Sequence, residues 1–134
     1  MEDIEWKLRC DLAACHHLFH HFGWTDVIFT HLSTRLPQNK NHYLTTPYGL
    51  MFDEVTASNL VKVDFDGKIL AGESYMDAGH AIHTAIMKTR QDVNCTLHSH
   101  TRAGIAVSCM KEGLMNLSQQ SGEVQNKINY YDYH

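Results

Sequence analysis

Hydrophobic positions in the first part of the chain recur at intervals of three and four residues, the period of an amphipathic helix. The pattern extends from Ile4 to Phe22, and Gly23 is the predicted stop. Four histidines fall in the last two turns, where protonated imidazole complements the negative end of the helix dipole. With no carboxylate or cysteine nearby to complete a metal cluster, we expect these side chains to be solvated and partly capping: His16, His17, His20 and His21.

Two further helices are predicted downstream. One extends from Asp77 or Ala78 to Met87 or Lys88, and the other from about Thr101 to Met110, with Gly113 as its stop. Four apolar residues share one face of the first of these helices and are predicted to be buried: Ala81, Ile82, Ala85 and Ile86. His80 and His83 lie on a flank of the same helix, where packing or solvent exposure explains them as well as function does.

Between these helices the pattern changes to short runs rich in β-branched and aromatic residues. Strands are predicted at 27–36 and 42–46, the second ended by the turn Pro47-Tyr48-Gly49. A short helix is predicted from Thr56 to about Leu60. The pair Asp66-Gly67 stands between apolar residues and predicts a β-hairpin.

The last predicted strand, from Val93 to His100, alternates in character from residue to residue. Side chains two apart on a strand share a face, so His98 and His100 would lie about 6.5 Å apart between Cα atoms and could reach one metal ion. The spacing alone carries little weight, because 11 of the 134 residues are histidine. However, the pair ends a strand before a predicted helix, where ligand sites in α/β sheets collect. On local pattern alone, two interpretations of His98 and His100 stay open: a pair of metal ligands, or two ordinary histidines at the end of a strand.

Composition narrows the class of protein. A length of 134 residues, with 43% hydrophobic and 19% charged residues, predicts one globular domain over 1–134. The net charge of −4 and the scattered Lys and Arg argue against nucleic-acid binding. With no long apolar run and an acidic start, we expect a cytoplasmic protein without membrane association. The cysteines lack a disulfide framework spacing and are predicted to be buried reduced thiols: Cys10, Cys15, Cys95 and Cys109.

Several motifs in one order resemble the class II aldolase and adducin head domain family. The resemblance extends from roughly Trp6 to Tyr133. The motifs that carry it are Thr30-His31-Leu32-Ser33-Thr34-Arg35, Thr46-Pro47-Tyr48-Gly49-Leu50, Val63-Asp64-Phe65-Asp66-Gly67, His83, and Asp92-Val93 leading to His98-Ser99-His100. The resemblance implies an α/β protein with a three-layer α/β/α fold and a mainly antiparallel central sheet. It also implies a homotetramer with active sites at subunit interfaces.

The resemblance implies a metal site as well. In the family's enzymes a divalent metal, commonly zinc, with iron or manganese as alternatives, is held by the histidines that match His98 and His100 and by a third histidine further along. The metal acts as a Lewis acid in carbon–carbon bond cleavage, a lyase reaction on a small-molecule substrate. By the same resemblance His31 is a polar contact or substitute ligand, and three residues line the substrate loop: Thr46, Tyr48 and Gly49. For Tyr48, ordinary turn packing is a comparable explanation.

This sequence departs from the sugar-phosphate aldolases in three places. Their Ser-Ser-Glu run, which supplies the acid/base glutamate, is matched by Asp77-Ala78-Gly79, so Gly79 stands at the glutamate position and the catalytic residue is unknown. Asp77 also places negative charge where a phosphate would bind, and Thr30-His31 replaces the Gly-Asn pair of the phosphate loop. The family's third histidine lies beyond residue 134, which suggests a truncated domain. His134 as a substitute ligand and a vestigial site are the alternatives.

These departures favour the adducin-like branch and leave three functions open. The first is a metal-dependent lyase acting on a small unphosphorylated hydroxy-carbonyl compound. The second is an iron(II) enzyme that uses dioxygen, since histidine-only coordination leaves open positions on the metal. The third is a non-catalytic interaction module with cytoskeletal partners, like the adducin head. Retention of His98 and His100 favours the metal-binding, aldolase-like interpretation.

Overall fold

The computed structural model describes residues 3–131, in two compact units that divide between His100 and Thr101. The first unit contains two helices, α1 (Asp3–His21) and α2 (Asp77–Thr89). Its strands are β1 (His31–Arg35), β2 (His42–Thr45), β3 (Val61–Asp64), β4 (Ile69–Ala71) and β5 (Cys95–His98), with a 3₁₀ turn at Phe52–Glu54. The second unit contains α3 (Arg102–Ser108), α4 (Gln119–Val124) and a 3₁₀ turn at Gln125–Lys127.

The strands of the first unit form one antiparallel sheet in the order β4-β3-β2-β1-β5. β1 lies between β2 and the edge strand β5. Its register places His31 directly opposite His98, and Ser33 opposite Thr96 on one side and Thr45 on the other. Because directly opposed residues in an antiparallel pair share a face, the side chains of His31 and His98 lie next to each other.

Helices pack on both faces of this sheet. On one face α1 packs in an apolar core with β1 and β2, made of Leu12, Ala13, Phe19, Leu32, Leu36, Leu44, Phe52, Val55 and Leu60. On the other face α2 contributes Met87 to a second core with Tyr43, Val61, Val63 and Phe65. Adjacent residues such as His31 and Leu32 therefore face different layers. The predicted three-layer α/β/α fold with an antiparallel sheet is confirmed.

The buried face of α2 differs from the predicted one. The four residues of the predicted apolar stripe, Ala81, Ile82, Ala85 and Ile86, are exposed. The residues that are buried instead are Gly79, His83, Thr84 and Met87. The reason lies in β1, which presents His31, Ser33 and Arg35 to this helix; a polar sheet face requires hydrogen-bonding partners rather than an apolar stripe.

Several element boundaries also differ from the sequence pattern. The predicted strand over 27–36 begins only at His31, because Val27 has a positive φ of 47° and the Phe29 N–H donates to the Asp26 carbonyl. The short helix predicted after Thr56 is a hydrogen-bonded turn, and α4 was not predicted. The Asp66-Gly67 hairpin is confirmed, with Gly67 at φ +88° between β3 and β4.

The histidines at the end of α1 do not behave as one solvated set. His16 is fully buried, whereas His17, His20 and His21 are exposed. The Nδ1 atom of His16 lies 2.7 Å from the Leu12 carbonyl, and its Nε2 atom lies 2.8 Å from the Thr46 hydroxyl. Local spacing does not reveal this, because Thr46 follows β2, 30 positions further along the chain.

The cysteines are unpaired, as predicted, but only Cys15 is partly buried. Cys10, Cys95 and Cys109 are exposed, which contradicts the prediction of buried thiols. Among residues 3–131, the helices lack the combination of length and hydropathy needed to cross a membrane.

Candidate metal centre

Four histidine rings form a continuous series of close nitrogen–nitrogen contacts, 2.9–3.1 Å long, in the first unit. We call this series, with the residue that contacts each end, the histidine row. The order is Ser33, His83, His31, His98, His100, Asp26. From the buried end, Ser33 Oγ lies 2.7 Å from His83 Nδ1, and His83 Nε2 lies 3.0 Å from His31 Nδ1. His31 Nε2 lies 2.9 Å from His98 Nδ1, and His98 Nε2 lies 3.1 Å from His100 Nε2. His100 Nδ1 lies 2.9 Å from a carboxylate oxygen of Asp26 at the exposed end.

Three elements position the row. His31 and Ser33 share a face of β1, and His98 stands opposite His31 on β5. Gly79 and His83 are one turn apart on the inward face of α2. A Cβ atom at Gly79 would lie 3.0–3.1 Å from atoms of the His31 ring. The missing side chain at position 79 therefore leaves the space that the His31 imidazole fills.

The Nε2 atoms of His98 and His100 converge at the partly exposed end of the row. β5 ends at His98, and the N–H of His100 donates to the Trp24 carbonyl at 3.4 Å as the chain leaves the strand. Zinc–nitrogen bonds of about 2.0–2.1 Å, at angles from 90° to tetrahedral, separate two ligand nitrogens by about 2.9–3.4 Å. The 3.1 Å between the two Nε2 atoms falls in this range, so the donor pair fits a divalent ion.

Each converging ring has a partner behind it. The His100 ring is supported through Nδ1 by Asp26, and the His98 ring is supported through Nδ1 by His31. A carboxylate or another acceptor on the remote ring nitrogen is the usual arrangement behind a metal-binding histidine, where it orients the ring and raises its basicity. Both rings are therefore held with their Nε2 atoms toward the same point.

Burial keeps the inner part of the row uncharged. Burial, followed by the neighbouring His98 and His100 rings, lowers the pKa of His31 to about 4. Burial, followed by His31 and His98, lowers the pKa of His83 to about 3. The pKa of His98 is also lowered, by burial first and then by His100. These rings are neutral at neutral pH, and neutral imidazole is the form that binds metals.

The structure brings together most of the histidines singled out from the sequence. His98 and His100 meet at their Nε2 atoms, although the predicted strand through His100 ends at His98 and His100 follows it. His31 lies behind His98 rather than beside the converging atoms, and both of its ring nitrogens are engaged. Sequence reasoning left His83 undecided and did not single out Asp26. The signals for His83 were its place among the motifs that resemble the family and its four-residue spacing from Gly79.

The predicted substrate-loop residues have different environments. Thr46 is buried. Its hydroxyl accepts the Leu32 N–H at 2.9 Å and is hydrogen-bonded to His16, so these contacts within the protein already occupy it. Tyr48 is 55% exposed, and its N–H donates to the Ser74 carbonyl. Gly49 has φ +84° with open space around it. Of the three, Tyr48 has the accessible side chain.

Within the described residues, a bound ion would have two protein ligands, the Nε2 atoms of His98 and His100. Over residues 3–131, no three His, Cys, Asp or Glu side chains are arranged as ligands of one ion. His134, which the sequence suggested as a substitute ligand, lies outside the described residues.

Comparisons with known proteins agree on one family. The family model for the Class II Aldolase and Adducin N-terminal domain matches residues 10–134. A Pseudomonas aeruginosa protein provisionally named as an aldolase class 2 protein is 52% identical over 131 residues, which make up 96% of this chain and 50% of that protein. Alpha-adducin of Rattus norvegicus is 43% identical over 131 residues, 95% of this chain and 18% of the adducin.

A solved structure shares the same architecture. The crystal structure of an aldolase II superfamily protein from Pseudomonas syringae matches with a TM-score of 0.95 and 44% identity. The match covers 100% of this chain and 55% of that chain. The present chain thus spans about half the length of these bacterial relatives.

Proposed function

Because this chain belongs to the class II aldolase and adducin N-terminal domain family, we propose that His98 and His100 bind a divalent metal ion. The supporting observation is the pair of Nε2 atoms 3.1 Å apart, each on a ring held through Nδ1. When each ring carries its proton on Nδ1, both Nε2 lone pairs face the same point, and a cation there would be bound by both. Imidazole suits zinc and iron; zinc is the first candidate, with iron or manganese as alternatives.

The reaction we propose is lyase cleavage of a carbon–carbon bond in a small unphosphorylated hydroxy-carbonyl compound. The bound metal would supply Lewis-acid polarisation of the substrate oxygens. Asp77 bears on the choice of substrate, because it is an exposed carboxylate in the first turn of α2. The positive end of a helix attracts anions, and Asp77 already satisfies it with a negative charge. A phosphate group would meet repulsion there.

The acid/base group of the sugar-phosphate aldolases has no counterpart at its usual place. Gly79 carries no side chain, and the His31 ring occupies the space beside it. Within the described residues, Asp26 is the carboxylate that contacts the histidine row, and it holds His100. The proposed metal pair would therefore act without a carboxylate at position 79.

Metal content tests the assignment of His98 and His100. We expect protein purified without added metal or a histidine tag to contain about one zinc, iron or manganese ion per chain, measured by mass spectrometry. His98→Ala and His100→Ala should each abolish metal uptake, because two-ligand sites do not survive the loss of one ligand. Both variants should stay folded, since these side chains lie at the partly exposed end of the row.

His20→Ala is the matched control, because His20 is an exposed histidine on α1 outside the histidine row. This variant should retain the wild-type metal content. Equal metal in the wild type and in both row variants would contradict the assignment. A folded wild-type chain without metal would also contradict it. Iron as the native metal, with dioxygen consumption, would favour the oxygenase alternative.

A non-catalytic interaction module is the second candidate function. The observations that favour it are the 43% identity to alpha-adducin over 95% of this chain and the absence of a carboxylate at Gly79. The two functions differ in their dependence on the row. Binding to cytoskeletal filaments in a co-sedimentation assay that persists in His98→Ala would support the module, whereas no binding by the wild type would contradict it.

A further inference from the structure

The buried half of the histidine row does not touch the proposed metal position. His31 is 4% exposed and His83 is 2% exposed, and every ring nitrogen of these two residues has a partner within the row. Buried polar groups destabilise a fold unless they are hydrogen-bonded, and an apolar pair would fill this space without that requirement. The chain instead connects His98 to the interior through two further imidazoles.

The direction of the hydrogen bonds can be assigned from the buried end. The Thr45 hydroxyl donates to the Leu32 carbonyl at 3.3 Å, and a carbonyl can only accept. Thr45 Oγ1 therefore accepts from Ser33 Oγ at 3.0 Å. With its own proton used, Ser33 Oγ accepts from His83, whose proton then lies on Nδ1.

The same assignment can be made for each neutral ring in turn. A neutral imidazole has one N–H and one lone pair, so His83 with its proton on Nδ1 accepts at Nε2. His31 then donates from Nδ1 to His83 and accepts at Nε2. His98 in turn donates from Nδ1 to His31, which leaves the His98 Nε2 atom with a free lone pair directed at His100.

We infer that His31 and His83 are positioning residues that hold His98 in the tautomer with an unprotonated Nε2 atom turned toward His100. This inference rests on the metal site proposed above and states how the fold prepares one of its ligands. The preparation depends on a carbonyl of β1 and a histidine of α2, neither of which is near the converging nitrogens in sequence. The positioning role of His31 also explains the glycine at position 79, since a side chain there would push against the His31 ring.

The first test compares two substitutions at His83, which is two rings away from the metal position. His83→Met removes the acceptor for His31 while roughly keeping the volume, and His83→Gln can restore an acceptor oxygen near the place of Nε2. We expect the Met variant to bind zinc about 10–100-fold more weakly in a chelator competition. The Gln variant should stay within about threefold of the wild type. Equal zinc affinity in the wild type and the Met variant would overturn the inference.

The second readout needs no metal. Imidazole nitrogen NMR of the metal-free chain should show the His98 proton on Nδ1 in the wild type and in His83→Gln. In His83→Met the proton should move, in part or fully, to Nε2. If the wild type binds no zinc, the proposed function fails while the inference is still judged by this spectrum. A His98 tautomer that is the same in the wild type and the Met variant would overturn it.

Gly79→Ala provides a variant that removes no polar group. A methyl group at this position would meet the His31 ring at 3.0–3.1 Å, so the ring must move by a few tenths of an ångström, and such a shift disturbs its contact with His98. Alanine favours a helix more than glycine does, so a role confined to α2 would leave zinc binding unchanged. We expect weaker zinc binding and a mixed His98 tautomer. Wild-type behaviour in both measurements would overturn the inference even if His83→Met does not fold.

Discussion

His16 is a buried polar residue of the first unit that has partners on several sides. Its ring lies between α1 and β2, with the Leu12 carbonyl at Nδ1 and the Thr46 hydroxyl at Nε2. The ring of Phe52 packs against it edge-on at 4.6 Å. Burial lowers the pKa of His16 to about 4, so the neutral ring belongs to the folded state.

Stability should therefore fall as the pH drops from about 6.5 to about 4. The unfolded chain protonates His16 near 6.5 and the folded chain only near 4, so the unfolded state binds the proton first. The stabilisation that comes from the lowered pKa of His16 is fully present above pH 6.5 and is lost as the pH falls from about 6.5 to about 4. The loss is on the order of 3 kcal/mol for one such site, and the lowered pKa values of His31 and His83 act in the same direction.

Urea unfolding at pH 7 and pH 4.5 measures this effect. His16→Gln should unfold more easily at pH 7 and should show a smaller difference between the two pH values, because one titrating group is gone. His20→Gln, on the exposed side of the same helix, should keep the wild-type difference. A pH dependence that is the same in His16→Gln and the wild type would show that His16 is not a source of it.

At the scale of elements, Arg35 links β1 to the C-terminal end of α2. The residue is 3% exposed, and its guanidinium donates to the carbonyls of Met87, Lys40 and Val93. The last carbonyls of a helix have no partner within the helix, and a cation there also complements the helix dipole. The sheet and α2 are thus joined by a charged side chain where the sequence predicted an apolar stripe.

Replacement of Arg35 by Lys should lower the free energy of unfolding by about 1–3 kcal/mol, because one ammonium cannot serve three carbonyls in different directions. Urea titration at neutral pH measures the change. Arg90→Lys is the control, since Arg90 is an exposed residue paired with Asp92 just after α2. The control should unfold at the wild-type urea concentration, and an equal midpoint for Arg35→Lys would contradict the linking role.

At the scale of the whole molecule, the exposed apolar face of α2 bears on assembly. Ile82 and Ile86 are 47% and 40% exposed, one turn apart on the face that was predicted to be buried. We expect this chain to form a homo-oligomer, and a tetramer is what its family resemblance implies. An apolar stripe on a helix is the kind of surface that subunit contacts cover.

Sedimentation velocity at micromolar concentration measures the assembly. The wild type should sediment as an oligomer, and Ile86→Glu should shift it toward the mass of one chain, 15.3 kDa, because a charge at a covered apolar contact is costly. Gln91→Glu adds the same charge at an exposed site beyond α2 and should leave the oligomer intact. A monomeric wild type would contradict the expectation.

Local periodicity was sufficient for much of the architecture. The spacing of apolar residues predicted α1, α2 and α3, and the alternation of residue types predicted the strand that contains His98. The order of the motifs indicated the family and, with it, the three-layer fold. These properties follow from the sequence because period and residue type act over a few neighbouring positions.

Tertiary structure alone decided which face of α2 is buried and which residues complete the histidine row. His31 meets His83 across 52 positions and His98 across 67, and His100 meets Asp26 across 74. An apolar side chain can be buried against almost any other, so its pattern is informative by itself. Most buried polar side chains instead need a specific hydrogen-bonding partner, and in the histidine row the packing of distant segments supplies that partner.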